Sequence, residues 1–115
     1  MQELRNEKRE VAKLVILNNK NVVIKIKDIS FGGQNFVMID PKEIFSDVIK
    51  MQAQRIILIH NHPSGDSNPS KEDIILTERI YEASKLLGIS FLDHIIIGND
   101  NYESIFAIMR RKGLF

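Results

Sequence analysis

The sequence predicts an α/β domain built on a mixed sheet. Three observations lead there. Two branched, apolar runs near the start are joined by turn residues, the pattern of an antiparallel hairpin. Two later segments carry apolar residues at helical spacing, and strand-like runs stand before, between and after them. The opening hairpin argues against a purely parallel, doubly wound sheet. With 115 residues, 43% hydrophobic and 27% charged, the composition fits one globular domain over residues 1–115. A domain of this size hides roughly 65% of its unfolded surface.

The elements follow in order. Val11 to Leu17 is rich in branched apolar residues and ends in Asn18-Asn19-Lys20-Asn21, a turn cluster. Val22, Ile24 and Ile26 then alternate with Val23, Lys25 and Lys27, which reads as a half-buried strand. Gly32-Gly33 breaks the chain, and Phe36 to Ile39 reads as a short third strand. Asp40-Pro41-Lys42-Glu43 opens a helix: Asp40 caps, Pro41 suits the first helical position, and Glu43 completes a capping box. Arg55 to Ile59 is apolar after its first residue, as in a buried central strand. Asn61 to Pro69 has turn chemistry throughout. Ser70 starts a second helix with Leu76, Ile80, Ala83 and Leu87 on one stripe, ended by Gly88. Ile89 to Ile97 is a further strand. Gly98-Asn99-Asp100-Asn101 turns the chain into Tyr102 to Phe106, and Arg110-Arg111-Lys112 ends a short helix.

Composition excludes several classes of function. Lys and Arg total 16 against 15 Asp and Glu, a net charge of +1, which gives no support to a strongly basic nucleic-acid binder. The absence of cysteine excludes disulfides, a thiol nucleophile and thiolate-ligated zinc, so a metal site must use His, Asp and Glu. Charged residues follow Met1 where a signal peptide needs an apolar core. No apolar run approaches the ~20 residues of a membrane span. The expected location is the cytoplasm, without membrane association.

The chemistry concentrates in His60-Asn61-His62-Pro63-Ser64-Gly65-Asp66-Ser67-Asn68-Pro69-Ser70-Lys71-Glu72-Asp73. In an extended strand His60 and His62 point the same way, with Cα atoms roughly 6.5–7 Å apart, so both imidazoles can converge on one ion. Two prolines and a glycine fold the chain back to a helix start, where Asp73 in the first turn can face them. Two histidines and a carboxylate, with a fourth position left to water, make a catalytic zinc arrangement. The plainer reading also fits: two surface histidines at a strand end, and Ser70 to Asp73 as a capped helix start with acidic residues favoured by the helix dipole.

The complete string is more specific than its spacing. His-x-His, seven residues, Ser, two residues, Asp resembles the signature of the JAMM/MPN metalloprotease family, here His60, His62, Ser70 and Asp73. His-Asn-His-Pro-Ser-Gly resembles the RadC branch in particular. So do Asp40-Pro41-Lys42-Glu43-Ile44 and Leu92-Asp93-His94-Ile95-Ile96-Ile97-Gly98, and the resemblance runs from about Arg9 to Phe115. It implies a JAMM/MPN-like fold with a mixed, mostly antiparallel sheet flanked by helices. It also implies one Zn²⁺ per chain held by His60, His62 and Asp73, and a peptidase or isopeptidase acting on a peptide or protein substrate. The family's upstream Glu matches Glu10, whose parity agrees with Ala12, Leu14 and Ile16. The resemblance makes it the general base and Ser70 the oxyanion donor. Without the resemblance, Glu10 reads as an exposed residue among N-terminal charges. Glu43 is a rival base already explained as a cap.

A second class of reading is DNA repair. Longer RadC members carry a helical N-terminal segment resembling DNA-binding hairpins, for which this sequence has no counterpart, and the balanced charge does not support DNA association. The letters His-Asn-His are not an HNH nuclease, whose residues are dispersed. A zinc-binding scaffold without turnover is a third reading, opposed by Glu10 and Ser70. Exposed strand edges allow a homodimer. His94 reads as a packed or surface histidine in preference to a neighbour of the site, Ser64 as structural, and Asp66 and Glu72 as solvated. The sequence names no partner for Asp93.

Overall fold

The computed structural model describes residues 10–29 and 39–113. The predicted break at Gly32-Gly33 and most of the predicted strand from Phe36 lie outside them. Strands β1 (Ala12–Leu17) and β2 (Val23–Ile29) form the expected hairpin, closed by Asn21 in the left-handed region at φ 63°. Helix α1 (Pro41–Lys50) follows, then β3 (Arg55–Asn61), helix α2 (Lys71–Leu87), β4 (Ser90–Ile97), β5 (Tyr102–Ser104) and helix α3 (Ile105–Arg111). The five strands form one sheet in the order β2-β1-β3-β4-β5. Only β3 and β4 run parallel, with α2 as their crossover; the other neighbours are antiparallel. The α/β architecture with a mixed sheet is therefore the one the residues predict, and its mostly antiparallel pairing is the one the resemblance implies.

The core explains how the histidines are placed. On β1 the side chains of Ala12, Leu14 and Ile16 face one way, and β3 sets His60, Leu58 and Ile56 directly opposite them. These residues pack with Ile44 and Val48 of α1 and Leu76 and Ile80 of α2. Each such buried aliphatic side chain is worth roughly 1.5–3 kcal/mol. The period of two along β3 thus carries His60 onto the core face at the strand's C-terminal end, with no exposed surface.

Two expectations change. The alternation of Val22, Ile24 and Ile26 does not half-bury β2. It is the edge strand, and Ile24 and Ile26 are 42% and 50% exposed. Ile29 is the residue of β2 that enters the core. The run from Tyr102 divides after three strand residues, because Ser104 caps α3 by accepting from the Ala107 amide at 3.1 Å. Asp93 finds its partner here: its carboxylate accepts from the Ser104 hydroxyl at 2.7 and 2.9 Å, fixing the start of α3 to β4.

Candidate metal centre

Four side chains from three elements meet at the C-terminal end of β3. His60 and His62 come from β3 and the residue after its end, Asp73 from the first turn of α2, and Glu10 from the residues leading into β1. Their ligand atoms all lie within 4.8 Å of one another. His60 Nε2 is 3.1 Å from His62 Nε2 and 3.1 Å from Asp73 Oδ1, and His62 Nε2 is 3.1 Å from Asp73 Oδ2. Atoms about 2.0–2.1 Å from a tetrahedral zinc ion stand about 3.3 Å apart. The His60–His62 separation is close to a tetrahedral edge, each imidazole has one Asp73 oxygen at a similar distance, and the two-nitrogen, one-carboxylate donor set suits zinc. Glu10 Oε1 lies 3.8 Å from His60 Nε2, with its side chain 39% exposed.

Each position has a local cause. The loop after β3 turns at Gly65 (φ 89°), whose amide donates to the His62 carbonyl at 2.9 Å. The turn after β4 buttresses this loop: the Asn99 amide donates to the Gly65 carbonyl at 3.2 Å, and the His62 amide to the Ile97 carbonyl at 2.9 Å. A Cβ on Gly98 would stand 2.5 Å from that same Gly65 carbonyl oxygen. The His62 Nδ1 lies 2.8 Å from the Asp66 main-chain oxygen. A carbonyl can only accept, so Nδ1 carries the ring hydrogen of a neutral His62 and the Nε2 lone pair faces the site.

Asp73 is held by a capping box. The Ser70 hydroxyl accepts from the Asp73 amide at 3.1 Å, and Asp73 Oδ2 accepts from the Ser70 amide at 2.7 Å. Ser70 therefore keeps its hydroxyl hydrogen available to a further acceptor. Glu10 is placed through its neighbour: buried Asn61 accepts from the Val11 amide through Oδ1 at 2.7 Å and donates its own amide to the Val11 carbonyl at 3.3 Å.

The electrostatics follow the contacts. Burial raises Asp73, but the imidazoles of His60 and His62 against its two oxygens, whose protonated forms it stabilises, and the Ser70 amide outweigh it and hold the carboxyl well below its usual range. The Asp73 hydrogen bond raises His62, opposed by burial and reinforced by the Asp66 carbonyl. His94 is pushed well below the ordinary imidazole value by burial, with repulsion from His60 adding to it.

The sequence matches the RadC-like JAB domain family over residues 1–113. The chain belongs to that family. It is 52% identical to a UPF0758 protein of Clostridium tetani over 91% of this chain and 46% of that protein. A UPF0758 protein of Alkaliphilus metalliredigens is 50% identical over 91% of this chain and 45% of its own length. A UPF0758 protein of Clostridium botulinum is 48% identical over 98% and 48%. The chain thus spans about half the length of these relatives.

In this RadC-like JAB domain, Glu10, His60, His62, Ser70 and Asp73 gather at one place, while Glu43 stands at the start of α1, outside the cluster. Asp66 and Glu72 are exposed, as expected. His94 is packed, as expected, and it also adjoins the cluster, the reading the sequence favours less. It is fully buried, and its Nε2 lies 2.8 Å from His60 Nδ1. Thr77 Oγ1, also buried, lies 2.6 Å from His94 Nδ1 and donates to the Asp73 carbonyl at 2.8 Å. The sequence carried one signal for Thr77: it stands one helical turn beyond Asp73 on the buried side of α2. Among the described residues no helix is long and apolar enough to cross a membrane.

Proposed function

We propose that this domain is a zinc-dependent hydrolase of peptide or isopeptide bonds, with one ion per chain held by His60, His62 and Asp73. The observation that carries the reading is the cluster itself: one ligand atom each from His60, His62, Asp73 and Glu10 lies within 4.8 Å of the others, with the two imidazole nitrogens 3.1 Å apart. Zinc, when bound, supplies Lewis acidity that brings water within reach of deprotonation near neutral pH. Glu10, half in solvent, accepts that proton at a carboxylate oxygen and returns it to the departing amine. The Ser70 hydroxyl, anchored through its oxygen by the Asp73 amide, donates to the oxygen of the scissile carbonyl as negative charge develops there. His60 and His62 bind as neutral rings, so acid competes with the metal.

Metal analysis of protein purified without chelator, followed by cleavage of a peptide library with and without added zinc, tests this. About one zinc per chain and zinc-dependent cleavage are expected, with His60→Ala losing both. Failure to take up any divalent metal would overturn the reading.

A further inference from the structure

We propose that His94 and Thr77 are positioning residues for the metal centre. Together they turn the lone pair of His60 Nε2 toward the ion position and tie the strand carrying His60 to the helix carrying Asp73. The inference rests on the metal-dependent reading of the His60, His62 and Asp73 cluster.

The argument is one of hydrogen supply. The Asp73 carbonyl can only accept, and a helical threonine characteristically donates its hydroxyl to the carbonyl four residues back. Thr77 does so at 2.8 Å. Its single hydrogen is then spent, so the 2.6 Å contact with His94 is donated by His94 Nδ1. A neutral His94 is left with a bare Nε2, which accepts from His60 Nδ1 at 2.8 Å. His60 thereby carries its hydrogen on Nδ1, and Nε2 faces His62 and Asp73 as a lone pair. His62 reaches the same state through the Asp66 carbonyl.

The arrangement closes on itself. Asp73 offers its carboxylate to the centre and its main-chain carbonyl to the far end of the relay, so one residue fixes both ends. All of this lies in a buried layer between β3, β4 and α2, where leaving a polar atom unpaired costs about 1–3 kcal/mol. The opposite polarity would have Thr77 donate to His94 Nδ1 and His94 Nε2 donate to His60. That puts a hydrogen on His60 Nε2, where it blocks the ligand position. That state loses the Thr77 bond to the Asp73 carbonyl but gains an acceptor in Asp73 Oδ1, 3.1 Å from His60 Nε2, so the zinc-free tautomers decide between the two polarities.

The test is nitrogen NMR of the histidine rings in the zinc-free full chain at about pH 8, together with zinc affinity by competition with a chromophoric chelator. In the wild type, His60 and His94 should both carry the hydrogen on Nδ1. Thr77→Val, nearly isosteric, removes the acceptor for His94 Nδ1. His60 should then shift toward the Nε2-protonated tautomer, and zinc affinity should fall by roughly 10–100-fold. Thr77→Ser, which keeps the hydroxyl, should restore both. A merely structural role would lower the melting temperature of Thr77→Val without moving the tautomers. Wild-type affinity in Thr77→Val, or His60 protonated on Nε2 in the wild type, would overturn the relay. The wild-type tautomers decide the matter even if Thr77→Val fails to fold. A wild type that takes up no zinc would defeat the proposed function, while the zinc-free spectra still judge the relay.

Discussion

The two longer helices begin with nearly the same chemistry and to very different effect. Helix α1 starts with Asp40 as cap, accepting from the Lys42 amide at 2.9 Å, Pro41 in the first turn and Glu43 as the third helical residue. Helix α2 starts with Ser70 as cap and Asp73 as the third helical residue. Both acids favour the positive end of a helix dipole. At α1 the cap is exposed, and the Glu43 carbonyl accepts from Lys27 Nζ at 2.9 Å. At α2 the acid is 1% exposed and its carboxylate meets two imidazoles. A capping box therefore does not keep its carboxylate from facing other side chains. In α2 the bond from the Ser70 amide holds the carboxylate where the histidines need it.

The sharpest way to break this contrast is to neutralise each acid. Asp73→Asn should lower zinc affinity by more than the ~10–100-fold governed by the outer partners of a ligand, whereas Glu43→Gln should leave it unchanged; chelator competition measures both. Glu10→Gln should keep zinc and the melting temperature but lower hydrolysis by roughly 10²–10⁴-fold. If Glu43→Gln did this and Glu10→Gln did not, the base would stand at the start of α1 and not before β1. The caps make a finer pair. Ser70→Ala and Asp40→Ala should each cost about 1 kcal/mol in denaturant unfolding, but only Ser70→Ala should also reduce kcat, by roughly 10²–10³-fold.

The smallest expected effect is one of pH. Without metal, the raised His62 contributes stability that is complete below its unfolded value of about 6.5 and lost as pH rises through its folded value. The lowered Asp73 contributes above about pH 4, and that contribution is lost only in strong acid. Zinc needs His62 neutral, so uptake expels its proton at acid pH. Titration calorimetry in buffers of different ionisation enthalpy should show proton release per zinc climbing as pH falls through the His62 titration. Proton release that is flat with pH would detach His62 from the centre.

His60, His62, Ser70 and Asp73 were legible because the strand end and helix start that carry them are joined by one short loop. Glu10 needed the family resemblance to single it out. The register of β1 on β3, with Ala12 opposite His60, accounts for its place two residues before Ala12. His94 is packed, as one reading had it, but its contact with His60 depends on a parallel pairing, Leu58 beside His94, whose register shifts between Ile56 and Ile57. No local pattern encodes that alignment. The exposure of β2 was hidden for the opposite reason: an alternating strand looks the same at the edge of a sheet as inside it, and only the strand order tells them apart. Thr77 was passed over as one polar residue within an apolar stripe.

The contact between Gly65 and Gly98 widens the mutational target of the site. The Gly65 carbonyl and the Asn101 side chain fill the space that a side chain on Gly98 would need, while the Asn99 side chain stands 2.4 Å from where a Cβ on Gly65 would sit. Even a methyl group at residue 98 therefore pushes on the main chain of the histidine loop. The displaced unit includes His62 and the Asp66 carbonyl that orients it. A turn outside the cluster thus sets the tolerance to which His62 is held.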